Sequence, residues 1–374
     1  MAKKLYLGAR KRIFSIFYGL THFWRRKVFS KNSAHQVLII ALKRVGDTIL
    51  SIPAFRAIKE SLPQSQVTVF ANSYIKDILE RIPSIDSLIL YPQKSSFLQK
   101  ARQIRKLRQQ RFDLALDFSC DYTLEGALLS WVSGAKYRVG YHISGRGFLF
   151  HRPVQHEKKP AHALDEILNI AQAINLETKD KSLRIEASDE AQQTIQKFLK
   201  KKGIKKGDLL TGIHPGGYYP TQRWMIGGFA QLADRIVKKY QARIILICGP
   251  SEEALADQLK EKMTSPSIIF SNQSMPSLLG LIQSLHLLVC NNSGPLHMAT
   301  AVGTPTVSTM GPTLAERWWP QGEEHIVVRK NLSCMPCNEG YCRLKTHLCM
   351  TSITINEMLE AVDHQISRLK WTKG

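Results

Sequence analysis

A carboxylate and two cations stand directly after an apolar run near the amino terminus. The run QVLIIAL is followed by Lys43, Arg44, Gly46 and Asp47. An aspartate is ionised at neutral pH, so Asp47 could accept a proton from a substrate hydroxyl, and the two cations would favour its charged form and attract an anionic substrate. The same side chain could instead cap a helix that begins at Thr48. The residues alone leave both roles open.

A second candidate site lies in the segment LVCNNSGPLHMATAVG, residues 288–303. Asn291, Asn292 and Ser293 follow an apolar strand and are good helix caps, and Gly294 lets the backbone approach a ligand closely. The N–H groups at a helix start, together with the helix dipole, bind anions, and a diphosphate is the expected ligand. His297, one turn further on, could add a hydrogen bond or a positive charge. The alternative is an ordinary strand–turn–helix in which His297 is packed in the core.

Two more glycine turns follow apolar runs in the same half of the chain. One is HPGGYYPTQRW, which contains Arg223, and the other is TMGPT, which contains Gly311 and Thr313. Parallel sheets bind ligands at the carboxyl ends of their strands. Three polar or glycine-rich turns at strand ends of one sheet therefore indicate a ligand site more specifically than any one of them does.

Four of the seven cysteines lie close together near the carboxyl terminus. Cys334, Cys337, Cys342 and Cys349 have the spacing C-x2-C-x4-C-x6-C. Four thiolates with a leading C-x2-C could hold zinc or iron in a tetrahedral site that stabilises the loop and takes no part in catalysis. Free thiols or a redox-sensitive disulfide are the alternatives.

The chain of 374 residues is long enough for two α/β domains, and its net charge is +22. Such a balance predicts a polyanionic neighbour, which could be nucleic acid, an anionic membrane surface or a phosphorylated substrate. Aromatic residues make up only 8% of the chain, and no basic motif rich in stacking residues is present, so nucleic acid is disfavoured. No apolar run reaches the length of a membrane span.

Two basic segments stand out against this background. Residues 1–33 hold nine Lys or Arg and no acid, with apolar residues at roughly helical spacing. We interpret residues 1–34 as an amphipathic helix on an anionic membrane face, the alternative being a helix packed on the domain or a flexible arm. Residues 94–111 hold seven cations and no acid; this helical pattern could face phosphorylated sugar or lipid headgroups, or be a solvated surface.

The elements that must position these residues follow an alternating pattern. Short β-branched apolar runs alternate with amphipathic segments up to about residue 141, and again from residue 209 to residue 311. Between these two series lie a polar loop, a helix near 161–175 and a charged strand. The pattern predicts two parallel α/β domains, with a boundary between residues 175 and 205. We place the domains at 35–190 and 205–350, followed by a helix at 354–370 that could pack back on the first domain.

The ordered motifs resemble one family. RVGDTILSIPAFRAIKESLP, HPG followed by RW and FAQLAD, NNSGPLHMATAVGTPTV and GPT occur in this order over roughly residues 35–365. Together they resemble glycosyltransferase family 9, the ADP-heptose:lipopolysaccharide heptosyltransferases. The resemblance implies the GT-B fold, with two Rossmann-like domains facing each other across a cleft. It also implies transfer of heptose from ADP-L-glycero-D-manno-heptose to a lipopolysaccharide inner-core acceptor, with inversion and without a catalytic metal.

The resemblance also assigns roles to residues. It makes Asp47 the general base. Lys43, Arg44 and Gly46, which stand beside Asp47, would then lie on the acceptor side. The donor would lie on the second domain; the residues expected to contact it are Arg223, Asn292, Ser293, Gly294, His297, Gly311 and Thr313. Related protein heptosyltransferases bind iron through four cysteines, which favours a structural metal at the cysteine cluster.

Two positions depart from the family pattern. Asn292 stands where the family often has an acid, which keeps a hydrogen bond but loses a charge. Gln222 stands where the family has a phosphate-binding lysine. The adjacent Arg223 could replace that lysine, because a guanidinium binds phosphate in a bidentate manner. Alternatively, Arg223 is a surface cation and donor choice differs.

These features predict a metal-independent glycosyltransferase at the cytoplasmic face of the inner membrane, attached peripherally. Its expected partners are a nucleotide-sugar donor, a lipid-linked anionic saccharide acceptor and an anionic membrane surface, but not nucleic acid. A GT-B enzyme with another nucleotide sugar or a protein acceptor is the first alternative. A non-enzymatic protein that binds glycan or nucleic acid is the second. A NAD-dependent enzyme is disfavoured, because no G-x-G-x-x-G follows the first strand.

Overall fold

The computed structural model describes residues 10, 14, 27–91, 96–156, 160–249 and 252–369. Contacts divide the chain into two units, Met1–Leu183 and Arg184–Gly374. Each unit contains one six-stranded parallel sheet with helices around it.

The first unit is built on one parallel sheet. Its strands are β1 (Gln36–Ala41), β2 (Gln66–Asn72), β3 (Ser87–Tyr91), β4 (Leu114–Asp117), β5 (Tyr137–Tyr141) and β6 (Arg152–Val154). Its helices are α1 (Val45–Leu50), α2 (Ile52–Ser61), α3 (Lys76–Leu79), α4 (Phe97–Gln109), α5 (Glu125–Val132) and α6 (Ala163–Gln172). The strand order is β3-β2-β1-β4-β5-β6, so the order reverses between β1 and β4. Ligand crevices form at such reversals, which are called topological switch points.

The second unit repeats this topology. Its strands are β7 (Leu210–His214), β8 (Arg243–Ile247), β9 (Ser267–Phe270), β10 (Leu287–Asn291), β11 (Thr306–Thr309) and β12 (His325–Val328). Its helices are α7 (Asp189–Lys201), α8 (Ile226–Tyr240), α9 (Glu253–Lys262), α10 (Met275–Ser284), α11 (Gly294–Val302), α12 (Ala315–Trp318), α13 (Leu348–Thr351) and α14 (Ile355–Arg368). The strand order is β12-β11-β10-β7-β8-β9, which places the reversal between β7 and β10.

The central strands are largely apolar because helices cover both faces of each sheet. Every residue of β7 and β10 is buried, and so is every residue of β1 except its first. These strands therefore appear in the sequence as continuous apolar runs, and their prediction is confirmed. The edge strands β6 and β12 are short and only partly buried, and the sequence pattern missed both.

Three other predictions concern the segments between and after the two alternating series of strands and helices. The helix predicted near 161–175 is α6. The charged strand expected after it is absent, since residues 177–188 form no strand. Helix α7 follows instead and packs on α10 within the second unit. Helix α14 buries Met358, Val362 and Ile366 in the core of the second unit, against α8, β11 and β12.

Most of the predicted N-terminal amphipathic segment lies outside the described residues. Residues 10, 14 and 27–34 of this segment are described, and Arg10 and Phe14 both contact later parts of the first unit. Arg10 donates to the carbonyl oxygens of Ser144, at 3.1 Å, and Tyr122, at 2.5 Å. The rings of Phe14 and Phe148 lie 4.9 Å apart. Across the described residues, we find no helix with both the length and the apolar character needed to cross a bilayer.

Two helical glycines provide a matched test of packing in the first turn of a helix. A Cβ on Gly126, the second residue of α5, would lie 2.2 Å from Asp117 Oδ1. A Cβ on Gly227, the second residue of α8, would have no atom within 4 Å. We expect Gly126→Ala to lower the free energy of unfolding by about 1–3 kcal/mol through overpacking. Gly227→Ala should leave it unchanged or raise it by up to about 1 kcal/mol. Urea unfolding followed by circular dichroism measures both, and equal effects would contradict this account.

Candidate active site

Asp47 lies just beyond the carboxyl end of β1, at the switch point of the first sheet. Helix α1 begins at Val45, so Asp47 is its third residue and not the cap of a helix starting at Thr48, as the sequence suggested. Its carboxylate reaches back to the backbone N–H of Arg44, with Oδ2 at 3.4 Å from the nitrogen. Asp47 is half-buried and Arg44 is exposed. The helix start therefore fixes the position of a carboxylate that solvent can still reach.

The segment after β4 contacts the loop that carries Asp47, on the other side of the switch point. Lys43, after β1, forms an ion pair with Asp121, which follows β4. Burial opposes ionisation of Asp121, but Lys43 and the hydrogen bonds from Thr123 outweigh it and lower the pKa of Asp121 to about 2. Lys43, predicted to contact an anionic acceptor, is thus already paired with a carboxylate. Asp121 escaped the sequence analysis, although it lies just after an apolar strand.

Tyr74 is another residue that the sequence analysis missed. It follows β2, the strand beside β1, and its hydroxyl donates to the carbonyl oxygen of Lys43 at 2.8 Å. Burial raises the pKa of Tyr74, and the charges of Arg44 and Asp47 act on it in opposite directions, which places its ring close to both. Its position beyond a strand end next to β1 was the available signal.

The fully buried Arg146 joins the loops that follow β4 and β5. Arg146 donates to the carbonyl oxygens of Tyr141, at 3.1 Å, of Thr123, at 2.8 Å, and of Ser119. Its guanidinium also lies 3.4 Å from Oδ2 of Asp117, the last residue of β4. Burial raises the pKa of Asp117, and the charge of Arg146 opposes that rise. The arginine thereby joins the ends of β4 and β5.

In the second unit, one amide side chain joins the loops at the switch point. The Asn291 carbonyl oxygen accepts from the backbone N–H of Trp224 at 2.9 Å and from the Thr309 hydroxyl at 2.7 Å. Its NH2 group donates to the carbonyl oxygens of Pro215, at 2.8 Å, and Gly216, at 2.9 Å. Asn291 is fully buried at the end of β10. It therefore joins the turns after β7, β10 and β11. Its residue type and position had predicted only a helix cap.

Glu252, which the sequence analysis also missed, braces the glycine turn after β7. Its carboxylate accepts from the N–H of Gly249 at 2.9 Å and from that of Gly217 at 3.3 Å. A Cβ on Gly216 would lie 2.2 Å from Glu252 Oε1, so this close approach requires glycine. The carboxylate stands just beyond β8, the neighbour of β7. A polar residue soon after a strand was again the only signal in the sequence.

Gln222 and Arg223 lie on the same turn. Arg223 Nε donates to the carbonyl oxygen of Gly217 at 2.9 Å, so its guanidinium faces the glycine turn. Gln222 Nε2 donates to Thr313 Oγ1 at 3.3 Å. This hydrogen bond brings together two of the three predicted turns, HPGGYYPTQRW and TMGPT.

Helix α11 begins at the third predicted turn. Ser293 caps the helix at the backbone level, with its hydroxyl donating to the carbonyl oxygen of Asn291 at 3.1 Å. Asn292, Ser293 and Gly294 are all half-buried, so the helix start is accessible. His297 is buried, and its ring lies 6.1 Å from that of Trp318.

The TMGPT turn is held from behind by the C-terminal segment. A Cβ on Gly311 would lie 2.3 Å from Met350 Sδ, so glycine at this position lets helix α13 pack against the turn. Thr313 is buried. Gly311 therefore has a packing role in the structure, whereas Thr313 takes part in the hydrogen bond that joins two turns.

The predicted structural metal site is not supported. The four cysteines of the cluster line one cavity of about 400 Å³, but their exposure differs: Cys334 and Cys337 are exposed and Cys349 is buried. Within the described part of the chain, no three His, Cys, Asp or Glu side chains are arranged to hold a metal ion. All four are free thiols, one of the alternatives that the sequence left open.

Hydrogen bonds attach the cysteine segment to the neighbouring turns. Thr221 Oγ1 donates to the carbonyl oxygen of Glu339 at 2.8 Å, and His347 Nε2 lies 2.6 Å from the carbonyl oxygen of Thr221. The N–H of Asn338 donates to the carbonyl oxygen of Pro312 at 2.9 Å. The segment thus packs on both the HPGGYYPTQRW and the TMGPT turns.

Two six-stranded parallel sheets with polar turns at their switch points are typical of GT-B glycosyltransferases. The family model for glycosyltransferase family 9 (heptosyltransferase) matches residues 100–348. The chain therefore belongs to this family and is a glycosyltransferase. The prediction from the ordered motifs is confirmed, and the alternative of a non-enzymatic binding protein is not retained.

Individual relatives and solved structures agree with this assignment. The chain is 23% identical over 324 residues to lipooligosaccharide heptosyltransferase 2 of Campylobacter jejuni, covering 85% of this chain and 95% of the relative. The structure of E. coli ADP-heptose lps heptosyltransferase II is similar with a TM-score of 0.74 at 18% identity, covering 89% of this chain and 99% of the other. A glycosyl transferase family 9 structure from Veillonella parvula gives a TM-score of 0.71 at 22% identity, covering 80% and 87%.

Asn291 and its neighbour Asn292 allow a matched test of the buried amide. Asn291→Asp keeps the size and the acceptor oxygens but loses the two donors to Pro215 and Gly216, and buries a charge against their carbonyl oxygens. We expect it to lower the free energy of unfolding of the second unit by about 2–4 kcal/mol, because buried acceptors lose their partners. Asn292→Ala, at a half-buried position, should change it by less than about 0.5 kcal/mol. Urea unfolding measures both, and a small effect at Asn291 would refute its role.

Proposed function

We propose that this chain transfers heptose from ADP-L-glycero-D-manno-heptose to the inner core of a lipopolysaccharide, with inversion at the anomeric carbon. The proposal is carried by one observation: a glycosyltransferase family 9 chain gathers a carboxylate at the switch point of one sheet and anion-binding groups at the switch point of the other. The names of the relatives support the sugar and the acceptor, since they include an ADP-heptose lps heptosyltransferase and a lipooligosaccharide heptosyltransferase.

In the proposed reaction, Asp47 is the general base. The acceptor hydroxyl attacks the anomeric carbon from the face opposite the diphosphate, and its proton passes to the Asp47 carboxylate. The bond between the anomeric carbon and the diphosphate oxygen breaks, and ADP leaves with the electron pair. The N–H of Arg44 orients the carboxylate through the contact with Oδ2. Arg44 is exposed and forms the acceptor side of the proposed site together with the backbone of Gly46, which is buried.

Lys43 has a different part in this scheme. Its pairing with Asp121 neutralises much of its charge toward an acceptor. It acts mainly by fixing the loop after β1 to the loop after β4. Tyr74 fixes the same loop from the side of β2, through its hydrogen bond to the carbonyl oxygen of Lys43.

The donor diphosphate binds, in this proposal, to the second unit. The backbone N–H groups of Ser293 and Gly294 at the start of α11 receive its oxygens, and Arg223 adds a cation from the glycine turn. Thr313 and the TMGPT turn line the remaining side, while His297 supports the helix from within. Asn292 supplies a hydrogen bond to the donor where an acid is common. N–H groups and a guanidinium meet the developing charge, so the scheme needs no metal ion.

We further propose that the enzyme works peripherally on the inner face of the inner membrane. A lipid-linked, phosphorylated acceptor lies at that surface, and a chain of net charge +22 is attracted to its anionic headgroups. Nucleic acid is not among the proposed partners.

Replacing Asp47 tests the assignment of the base. Asp47→Asn keeps an oxygen for the N–H of Arg44 but cannot accept the proton, so kcat should fall about 10²–10⁴-fold. Affinity for ADP should stay within about two-fold, because Asp47 does not contact the donor in this scheme. Asp77→Asn, in the first turn of α3 in the same unit, is the matched control and should leave kcat unchanged. Full activity of the Asp47 variant would exclude this base.

Nucleotide preference tests the donor. ADP should stabilise the protein against heat more than UDP, GDP or CMP does at equal concentration. Arg223→Gln should weaken ADP binding about 10–100-fold through loss of charge-assisted hydrogen bonds. Arg243→Gln is the control, because Arg243 is the first residue of β8 and so lies at the amino ends of the strands, whereas the proposed site lies at their carboxyl ends. A preference for UDP would favour the alternative of another nucleotide sugar and overturn ADP-heptose as the donor.

A further inference from the structure

Helix α4 presents a cationic face to solvent. Arg102, Arg105, Lys106 and Arg108 are all exposed, whereas Leu107 on the other side of the helix is buried. Residues 94–111 include no acid. Acids at i±3 or i±4 normally balance the charges of a solvated helix face, and here the described residues of the helix offer none.

The neighbouring helix α5 exposes two large apolar side chains. Leu128 is 43% exposed and Trp131 is 53% exposed, and they stand three residues apart on one face of the helix. Leu129, beside them in sequence, is buried in the core. A folded domain gains nothing by leaving a leucine and a tryptophan together in water, so this pair predicts a contact surface.

The cationic and the apolar groups lie side by side. Leu107 of α4 and Leu129 of α5 pack in the same apolar cluster, so the two helices cover the same face of the first sheet. Arg108 Nε lies 3.9 Å from the position that a Cβ on Gly134 would take, and the N–H of Gly134 donates to the carbonyl oxygen of Trp131. The arginine thus borders the turn that follows the tryptophan's helix.

Few opposing charges reach this face. Glu125 is exposed in the first turn of α5, at the end away from Arg108. Asp113, after α4, is ion-paired with Lys136 and accepts the backbone N–H groups of two residues, so it adds little negative charge. Arg111 adds one more exposed cation beside it.

We infer that the face formed by α4 and α5 docks the first unit on an anionic lipid bilayer, with Leu128 and Trp131 entering the headgroup layer and the arginines contacting lipid phosphates. Tryptophan and leucine beside arginine and lysine are the side chains that bind the interface of a membrane. A solvated surface would account for the cations but not for the exposed apolar pair. The inference rests on the proposed function for its biological setting, and it names a surface separate from residues 1–34.

Vesicle binding by the full chain tests the electrostatic half of this inference. The probes are vesicles of phosphatidylcholine with phosphatidylglycerol, and vesicles of phosphatidylcholine alone. Each cation near an anionic bilayer contributes a factor of about five to binding, so R102Q/R105Q/R108Q should bind the anionic vesicles about 100-fold more weakly. K197Q/K201Q/K205Q removes the same charge from exposed positions in the second unit and should bind like the wild type. Equal losses in both variants would reduce the effect to net charge and overturn the inference.

A second variant tests the apolar half. Salt screens the contribution of the arginines but not that of inserted side chains. L128S/W131S should therefore lose the part of vesicle binding that persists at high salt, with its unfolding midpoint unchanged because both side chains are exposed. Binding of L128S/W131S equal to that of the wild type at high salt would exclude insertion at this face.

Two further outcomes decide the identity of the partner. Binding of the wild type to phosphatidylcholine vesicles as tight as to the anionic ones would overturn the inference. So would binding of duplex DNA that R102Q/R105Q/R108Q loses while vesicle binding stays equal, since the face would then serve nucleic acid. None of these measurements requires sugar transfer, so a failure here is distinguishable from a failure of the proposed reaction.

Discussion

The structure depends on how each sheet satisfies the backbone polar groups at its switch point. Where the strand order reverses, the two chain segments leave neighbouring strands in opposite directions and no further strand pairs with them. Their backbone groups must then bond to side chains, because a buried polar group without a partner costs about 1–3 kcal/mol. Asn291 does this in the second unit with four hydrogen bonds. In the first unit, Lys43 and Asp121 join the segments after β1 and β4, and Arg146 holds the loops behind them.

This closure has a consequence for chemistry. A catalytic group contributes most when it is held in place before the substrate arrives, so that no reorganisation is needed during the reaction. The buried side chains at the switch points provide such support without themselves meeting solvent. Asp47 and Arg223, by contrast, are half-buried: Asp47 lies on the loop that Lys43 and Tyr74 hold, and Arg223 lies on the turn that Asn291 holds. Each unit therefore separates a rigid polar support from the accessible groups that it positions.

The sequence predicted the central strands well because burial on both faces replaces alternation with continuous apolar runs. It missed β6, whose three residues include an arginine and a proline, and β12, whose four residues begin with a histidine. It placed the candidate site residues at the turns that follow the strands, because glycine, proline and capping types mark those turns. It did not find the support: the partners of Asn291 are 67 to 76 residues away on one side and 18 on the other, and only the fold brings them together. The cysteine spacing likewise predicted a metal site, although ligand geometry depends on the folding of the whole segment.

Gln222, one of the two departures from the family pattern that the resemblance implies, takes part in the same kind of support. Gln222 cannot supply the charge of a lysine, but its amide bonds to Thr313 and so joins two of the three turns of the second unit. In the proposed site the positive charge comes from the next residue, Arg223, whose Nε donates to the carbonyl oxygen of Gly217. A guanidinium fixed in this way retains N–H donors in a planar arrangement that suits a phosphate better than a flexible ammonium does. In the proposed site, a guanidinium fixed by a hydrogen bond therefore replaces a flexible ammonium. More of the proposed diphosphate recognition then falls to the backbone N–H groups at the start of α11.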